Sequence, residues 1–600
     1  MNKFVSSLLG AFTGTWIAFF VIGIFIFFSG IAMISSLASS TISPIATIGD
    51  NAILRIDLSG SITDKPYNKS LQELVNNDGN ASNLYEILGA IDHASADSNI
   101  KGIYINCDGA GMGVASATAI RNALISFKKK SGKWIYAYGN DIAQGDYYAA
   151  SVADKIFLNP AGALDIHGLT SSILFYKGLL DKIGVEMQII RVGTYKSAVE
   201  PFGYKHGAGE PFMLTQMSEA NKQQTSAFIG SIWKNITSDI ASSRKLNADD
   251  VQAYSDSIGA FQDAKIAVSK KFVDELCYEH QVESKLRKLV GITETDDLNF
   301  VSPSDVMNSV ITDNSSGEHI AIVYAEGEIN VDGNSSSINS KDIVPEIIKL
   351  ANDKSVKGLV LRVNSPGGSA FASEQIWEAL DFFKSKNKPF AVSMGDYAAS
   401  GGYYISAGAD RIFAEKTTIT GSIGIYGMIP NVKRLANAKL GITADFVSTS
   451  PNSNLSAFEP LTPTQRNAIQ RNVNRGYELF VARCAKGRHK TTDEIKAIAE
   501  GRVWDGESAK EIGLVDQFGG IEDAAKWVAN KAKLGRDFKL KIYPEFKPDF
   551  INLLYATIEK SATIRMQQSY NPELLRYALT VQDILNKDRI QCRMEDICLY

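Results

Sequence analysis

Ser400, in Met394-Gly-Asp-Tyr-Ala-Ala-Ser-Gly-Gly-Tyr-Tyr-Ile-Ser406, has the surroundings of a nucleophile. A serine behind a small-residue turn, at the start of a helix, presents its hydroxyl where backbone N–H groups point outward and favour negative charge. On these residues alone Ser400 reads equally well as an N-cap and Gly401-Gly402 as a turn. One helix upstream, Leu359-Val-Leu-Arg-Val363 runs into Asn364-Ser-Pro-Gly-Gly-Ser369. Glycines let backbone N–H groups approach a ligand closely, and such donors hold the oxyanion of acyl transfer. Gly367, Gly368 and Gly401 are the candidate donors.

A serine nucleophile needs a base. The six histidines (His93, His167, His206, His280, His319 and His489) show no Ser/His/Asp arrangement in their spacing, although triads also assemble from distant positions. The other option is a lysine whose ammonium is desolvated, which lowers its pKa from about 10.4 towards neutrality. Lys196, in Arg191-Val-Gly-Thr-Tyr-Lys-Ser-Ala-Val-Glu-Pro-Phe202, is the candidate.

An internal repeat connects the two. Residues 97–157 and 353–413, offset by 256, share 19 identities over 61 ungapped positions. Unrelated chains of ordinary composition give roughly one identity in sixteen. At this offset Ser400 falls on Gln144, and the loop after Asn364 falls on Asp108-Gly-Ala-Gly-Met-Gly113, where Met112 stands opposite Gly368. Aligning Gly184 with Gly441 puts Lys196 opposite Ser453. The first copy keeps the amine and the second the hydroxyl.

The elements that must position these groups follow from hydrophobic periodicity. Ile53–Leu58, Ile103–Cys107 and Trp134–Tyr138 read as strands, with helices at 84–94 and 115–130 between them, and 205–300 reads as mostly helical. The second copy repeats the order after a polar junction at 312–318: strands at 320–324, 358–363 and 390–394, helices at 342–351 and 373–384. Such β-α-β alternation predicts parallel sheets covered by helices, with ligand sites at the carboxyl ends of strands. The tail after Phe546 includes a further predicted helix.

A chain of 600 residues exceeds one core, and 45% hydrophobic with 21% charged residues is globular composition. The net charge of -4 argues against nucleic acid as a partner. Five scattered cysteines give no zinc pattern, and only Cys592 and Cys598 are close enough in sequence to suggest a disulfide. Between Lys3 and Asp50 there is no charge, and 16–34 is nearly all apolar, long enough to cross a hydrocarbon core of about 30 Å. The run exceeds the roughly 7 to 15 apolar residues of a cleavable signal peptide, so an uncleaved anchor is expected. Lys3 and the chain amine put the N-terminus in the cytoplasm and the body across the membrane.

Five motifs in order carry a resemblance: Gly193-Thr-Tyr-Lys-Ser-Ala-Val-Glu-Pro-Phe202, Asn364-Ser-Pro-Gly-Gly-Ser369, Ala398-Ala-Ser-Gly-Gly-Tyr-Tyr404, Thr420-Gly-Ser-Ile-Gly424, and Gly501-Arg-Val-Trp504 with Gly513-Leu-Val-Asp516. With them the chain resembles the signal peptide peptidase A family in its long, tandem-repeat bacterial form (protease IV). The resemblance implies an α/β fold of two tandem Clp protease/crotonase-like β-α-β repeats after an N-terminal transmembrane helix. It assigns Ser400 as nucleophile, Lys196 as general base and the backbone of Gly367 or Gly368 with Gly401 as oxyanion hole. Ser422 is a supporting hydroxyl near the lysine or a buried strand residue, and Arg502–Trp504 is packing. No metal or organic cofactor is implied. Hydrophobic peptides such as signal-peptide remnants are the implied substrates, a homo-oligomer, tetrameric by resemblance, the implied assembly, and the periplasmic side of the bacterial inner membrane the implied site. The expected divisions are 1–46 anchor, 47–311 first repeat, 312–545 second repeat and 546–600 tail. Two rival readings are an acyl-CoA thioester enzyme of the same fold and a catalytically silent membrane scaffold.

Overall fold

The computed structural model describes residues 48–65, 83–193, 210–310, 317–333, 337–535, 538–544 and 590–593. The apolar N-terminal run, Lys196, His206, Cys598 and most of the tail lie outside these residues. Among the described residues no helix is long and apolar enough to cross a membrane.

The first half builds β1 (Ala52–Leu58), β2 (Ile100–Cys107), β3 (Trp134–Gly139) and β4 (Lys155–Leu158), with α1 (Leu84–Ala96), α2 (Val114–Ser131) and α3 (Gln144–Ala150) between them. After β5 (Glu186–Arg191) a mostly helical stretch, including Glu219–Arg244, leads to β6 (Glu275–Leu276) and β7 (Phe300–Val301). Six strands lie in the order β6-β4-β3-β2-β1-β7, every pair parallel. A parallel sheet is covered on both faces, which is why β2 reads Ile-Tyr-Ile without polar alternation, and Ile103, Tyr104 and Ile105 are all buried. Each such side chain contributes about 1.5–3 kcal/mol by leaving water. Gly132 stops α2 in the left-handed conformation, with Lys128, Lys129 and Lys130 in the last turn complementing the helix dipole.

The second half repeats the pattern. It contains β8 (His319–Glu326), the short β9 (Ile329–Asn330) and β10 (Ile338–Asn339), β11 (Val356–Ser365), β12 (Gly367–Ser369), α4 (Ala370–Ser385), β13 (Phe390–Ala399) and α5 (Gly401–Ser406). Then follow β14 (Arg411–Ala414), β15 (Ile419–Gly421), β16 (Tyr426–Asn431), β17 (Val503–Asp505), β18 (Gln517–Phe518), β19 (Lys539–Tyr543) and, in the tail, β20 (Ile590–Arg593). The path β14-β13-β11-β8-β19 has the order of β4-β3-β2-β1-β7, again all parallel. β13 forks: its start pairs with β14, and Tyr397–Ala399 pair with β15.

Two expectations change here, and a third lies outside the described residues. The strand that sequence ends at Met394 continues to Ala399, so Ser400 follows a paired strand and not a turn. Gly367-Gly368 is a short strand. In the tail, the four described residues form strand β20, and the helix expected elsewhere in it lies outside the described residues.

The halves share a core. Ala399, Ile419 and Val503 pack into the hydrophobic cluster of the first half. Arg362 Nε donates to Asp64 Oδ2 at 2.7 Å with both side chains buried, and Arg362 Nη1 donates to Ser393 Oγ and Met394 O, each at 2.8 Å. Asp396 Oδ1 accepts the N–H of Ala115 at 2.8 Å and of Ser116 at 3.0 Å, and Ser116 Oγ donates to Oδ2 at 2.7 Å. A carboxylate of the second half thereby caps α2 of the first, whose own N-cap, Gly113, offers no side chain.

Candidate active site

Ser400 joins β13 to α5 with φ 55° and ψ −112°, a sparsely populated conformation for a residue with a Cβ. It is fully buried. Two backbone bonds hold it there: its N–H donates to Gly421 O at 2.8 Å, and its carbonyl accepts the N–H of Tyr404 at 2.8 Å. Its side chain does not cap α5, whereas Ser369 at the head of α4 accepts the Ala372 N–H in the ordinary way. The capping alternative for Ser400 is therefore set aside by the geometry.

The helix behind Ser400 is pinned by its tyrosines. Tyr403 OH donates to Leu514 O at 3.0 Å and Tyr404 OH to Glu374 at 2.7 Å. The equivalent pair in the first half does the same for α3, with Tyr147 OH on Phe272 O and Tyr148 OH on Asp239, both at 2.8 Å.

Beside Ser400 runs the glycine loop. A Cβ on Gly402 would stand 2.7 Å from Ser365 O, so the head of α5 and the Ser365–Gly368 segment touch backbone to backbone. Gly367 and Gly368 have φ of 103° and 156°. A Cβ on Gly368 would lie 2.1 Å from Ile329 O, which leaves room for glycine alone. Ser365 organises the loop: its Oγ donates to Gly327 O at 2.6 Å and accepts the Gly367 N–H at 3.1 Å. Ser365 was not singled out from sequence; its position ahead of Pro-Gly-Gly was the available signal.

Ser422 is buried, with φ 52° and its N–H on Arg502 O at 2.7 Å. It follows Gly421, which holds the Ser400 N–H, so Ser400 at the end of β13 and Ser422 at the end of β15 are held by neighbouring strands of one sheet. Arg502 stacks on Trp504 at 4.1 Å while its carbonyl serves this ladder, in keeping with a packing role.

The base side enters from the first half. β5 pairs antiparallel with β16, Arg191 opposite Tyr426, and Val192 N–H donates to Ile425 O at 3.4 Å. At Gly193, φ is 91° and a Cβ would meet the backbone of Glu500 at 2.7 Å. The chain thus passes beside the segment leading to Arg502. Lys196, three residues further on, lies outside the described residues. Ser453, its partner by alignment, is exposed.

The described histidines bond elsewhere. His319, at the amino end of β8, has its ring nitrogens on Gly317 O (2.8 Å) and Tyr543 OH (2.7 Å), and His167 Nδ1 lies 3.0 Å from Asp165. His93 pairs with Asp97, and His489 closes a helix in the left-handed conformation.

The corresponding place in the first half is filled by side-chain bonds. Gln144 Oε1 accepts the N–H of His167 at 3.0 Å and of Gly168 at 2.8 Å, and Nε2 donates to Gly168 O at 3.0 Å. The loop equivalent to the glycine loop gives its N–H groups to Asp146: Gly109 at 2.9 Å and Ala110 at 3.2 Å. Burial pushes the Asp146 carboxyl up to about 7 despite those two donors. A site whose donors are bound to its own carboxylate and whose serine is a glutamine has no place for an acyl group.

A buried serine at the end of a sheet strand, on a strained junction beside a glycine loop, sits in a chain whose family matches make it a serine protease of Clp protease-like α/β fold. The model of the Clp protease family matches residues 312–420, and that of peptidase family S49 matches residues 127–293 and 382–535. The chain is 37% identical to Protease 4 of Salmonella typhi over 534 residues, 86% of this chain and 84% of that protein. It is 34% identical to Protease 4 of Haemophilus influenzae, over 80% and 78% of the two chains. It is 26% identical to the chloroplastic serine protease SPPA of Arabidopsis thaliana, over 84% and 73%. The chain belongs to peptidase family S49, in its long protease 4 form. The acyl-CoA and silent-scaffold readings are thereby set aside.

Proposed function

We propose that this protease is a membrane-anchored endopeptidase working through a Ser400/Lys196 dyad and degrading hydrophobic peptides such as cleaved signal peptides. The observation that carries the dyad is the path of the first half's chain. Gly193 packs on Glu500, two residues before the Arg502 carbonyl that holds Ser422, beside the Gly421 carbonyl that holds Ser400. Three further residues reach about 10 Å when extended, which supports Lys196 meeting Ser400 within one chain.

In this reading neutral Lys196 takes the Ser400 proton and the oxygen attacks the scissile carbonyl. Backbone N–H groups hold the oxyanion; Gly367 gives its own to Ser365, so Gly368 and Gly401 are the proposed donors. Lys196 then protonates the leaving amine and activates the water that releases the acyl group. Ser422 orients the amine. The two α/β units descend from one duplicated module, bounded at 47–311 and 312–545, and the 1–46 segment is the anchor of a single-pass protein with its body on the periplasmic side of the inner membrane. Tethering raises the local concentration of peptides that partition into bilayer. Assembly into a homo-oligomer, tetrameric by resemblance, encloses the sites. Hydrolysis of an apolar fluorogenic peptide tests the roles: Ser400→Ala, Lys196→Ala and Lys196→Arg are each expected to be inactive in folded protein, since guanidinium stays protonated. Near wild-type turnover in any of them refutes the assignment.

A further inference from the structure

A line of backbone hydrogen bonds runs from Ser400 to the edge of its sheet. Gly421 O takes the Ser400 N–H at 2.8 Å, and Arg502 O takes the Ser422 N–H at 2.7 Å. The next N–H, that of Val503 in the edge strand β17, donates to Gln224 Oε1 at 2.9 Å. Edge strands carry such N–H groups with no strand to receive them. Gln224 belongs to the first half, on the helix Glu219–Arg244, and is 3% exposed. Further along the same helix face, Ser231 Oγ donates to Asp505 Oδ1 at 2.9 Å and Asn235 Nδ2 to Glu507 Oε2 at 3.0 Å. The counterpart helix of the second half, Pro463–Arg488, is capped by Thr462 where this one is capped by Ser218. That offset of 244 puts Ala468, Arg475 and Leu479, all exposed, opposite Gln224, Ser231 and Asn235. Aligning Asp274 with Asp516 puts Val503 opposite Phe261, which ends a 3₁₀ turn and is exposed. The edge strand and the amide that holds it therefore accompany only the half with the serine.

We propose that Gln224 is a positioning residue of the protease: its carbonyl oxygen fixes the edge of β17 and, through Arg502 and Gly421, the places of Ser422 and Ser400. The proposal rests on the reading of Ser400 as nucleophile. Among the described residues Gln224 Nε2 has no hydrogen-bond partner, so the buried amide works through its acceptor alone. Without that acceptor the Val503 N–H is buried and unpaired, a state the strand leaves by shifting until the donor finds a partner. A shift of about 1 Å at a reacting centre costs on the order of 10²-fold in rate. The glycine strand β12 lies in a different sheet from β17, so the loss falls on kcat and not on KM. The half without a nucleophile thus contributes an alignment as well as the proposed base.

The test uses the full chain with Gln224→Leu, which fills the space without an acceptor, and Gln224→Glu, whose carboxyl accepts the N–H in either protonation state. Arg244→Met is the control: Arg244, in the last turn of the same helix, donates to Asp274 of the first half at 2.7 Å, and its loss measures destabilisation alone. Turnover of an apolar fluorogenic peptide and the rate of fluorophosphonate labelling are read well below each melting temperature. Gln224→Leu is expected to lose about ten- to a hundredfold in kcat and in labelling rate at unchanged KM. Gln224→Glu should restore both, and Arg244→Met should lower the melting temperature with kcat unchanged. If the leucine chain does not fold, Gln224→Ser is judged by the same criteria, since a water fits beside the shorter side chain. Wild-type kcat without the acceptor, a glutamate no better than leucine, or loss of kcat in Arg244→Met overturns the proposal. An adduct on a serine other than Ser400 removes the nucleophile reading and the proposal with it. An adduct on Ser400 at equal rates in all chains overturns the proposal and leaves that reading standing.

Discussion

Ser400 N–H donates to Gly421 O at 2.8 Å, and this single bond fixes the nucleophile candidate to the end of β15, one residue before Ser422. Gly421 has φ 82°, and a Cβ there would meet Trp504 Cδ1 at 2.7 Å and Arg502 O at 3.1 Å. Gly421→Ala must therefore shift the strand. A displacement of about 1 Å at a reacting centre costs on the order of 10²-fold in rate. The expected outcome is a loss of that size in kcat, with far-UV circular dichroism unchanged; full activity would detach this strand from catalysis.

Between the halves, Arg362 and Asp64 form a buried pair at 2.7 Å. Removing one partner leaves a buried charge and costs about 3–5 kcal/mol, while replacing both by apolar residues costs much less. Denaturant unfolding of Asp64→Ala, Arg362→Met and the double variant is expected to show strong positive coupling, the double variant being more stable than either single one.

Glu415, on the same interface, accepts Asn122 Nδ2 at 3.0 Å, and burial pushes its carboxyl up from 4.5 to about 7. The folded chain then binds a proton that the unfolded chain releases, so this group's contribution falls as pH rises from about 4.5 to 7 and is level above. Glu415→Gln keeps an acceptor without the charge. Its melting temperature relative to wild type should rise between pH 5 and pH 8; a constant difference would place the carboxylate outside this linkage.

What was legible in the chain is what local periodicity and repetition encode. The alternation of apolar strands and helices, the offset of 256, and the contrast of Ser400 with Gln144 could all be read without coordinates, because each is written in neighbouring residues. Asp396 capping the other half's helix, Asp64 pairing with Arg362, and Asp146 binding the degenerate loop could not. Those bonds join residues 37 to 298 positions apart, and a lone aspartate carries no sign of its partner. Ser400 was taken to follow a turn because Ala398-Ala399 are small; pairing with β15 overrides that local preference. A four-residue strand in the tail has no periodicity to betray it, since its partners supply all its order.

Mass-spectrometric location of a fluorophosphonate adduct tests the central claim most directly. In the full chain the adduct is expected on Ser400, absent from Ser400→Ala and slowed at least a hundredfold by Lys196→Ala, as loss of a general base requires. An adduct on another serine, or labelling of Ser400 at the same rate without Lys196, would contradict it.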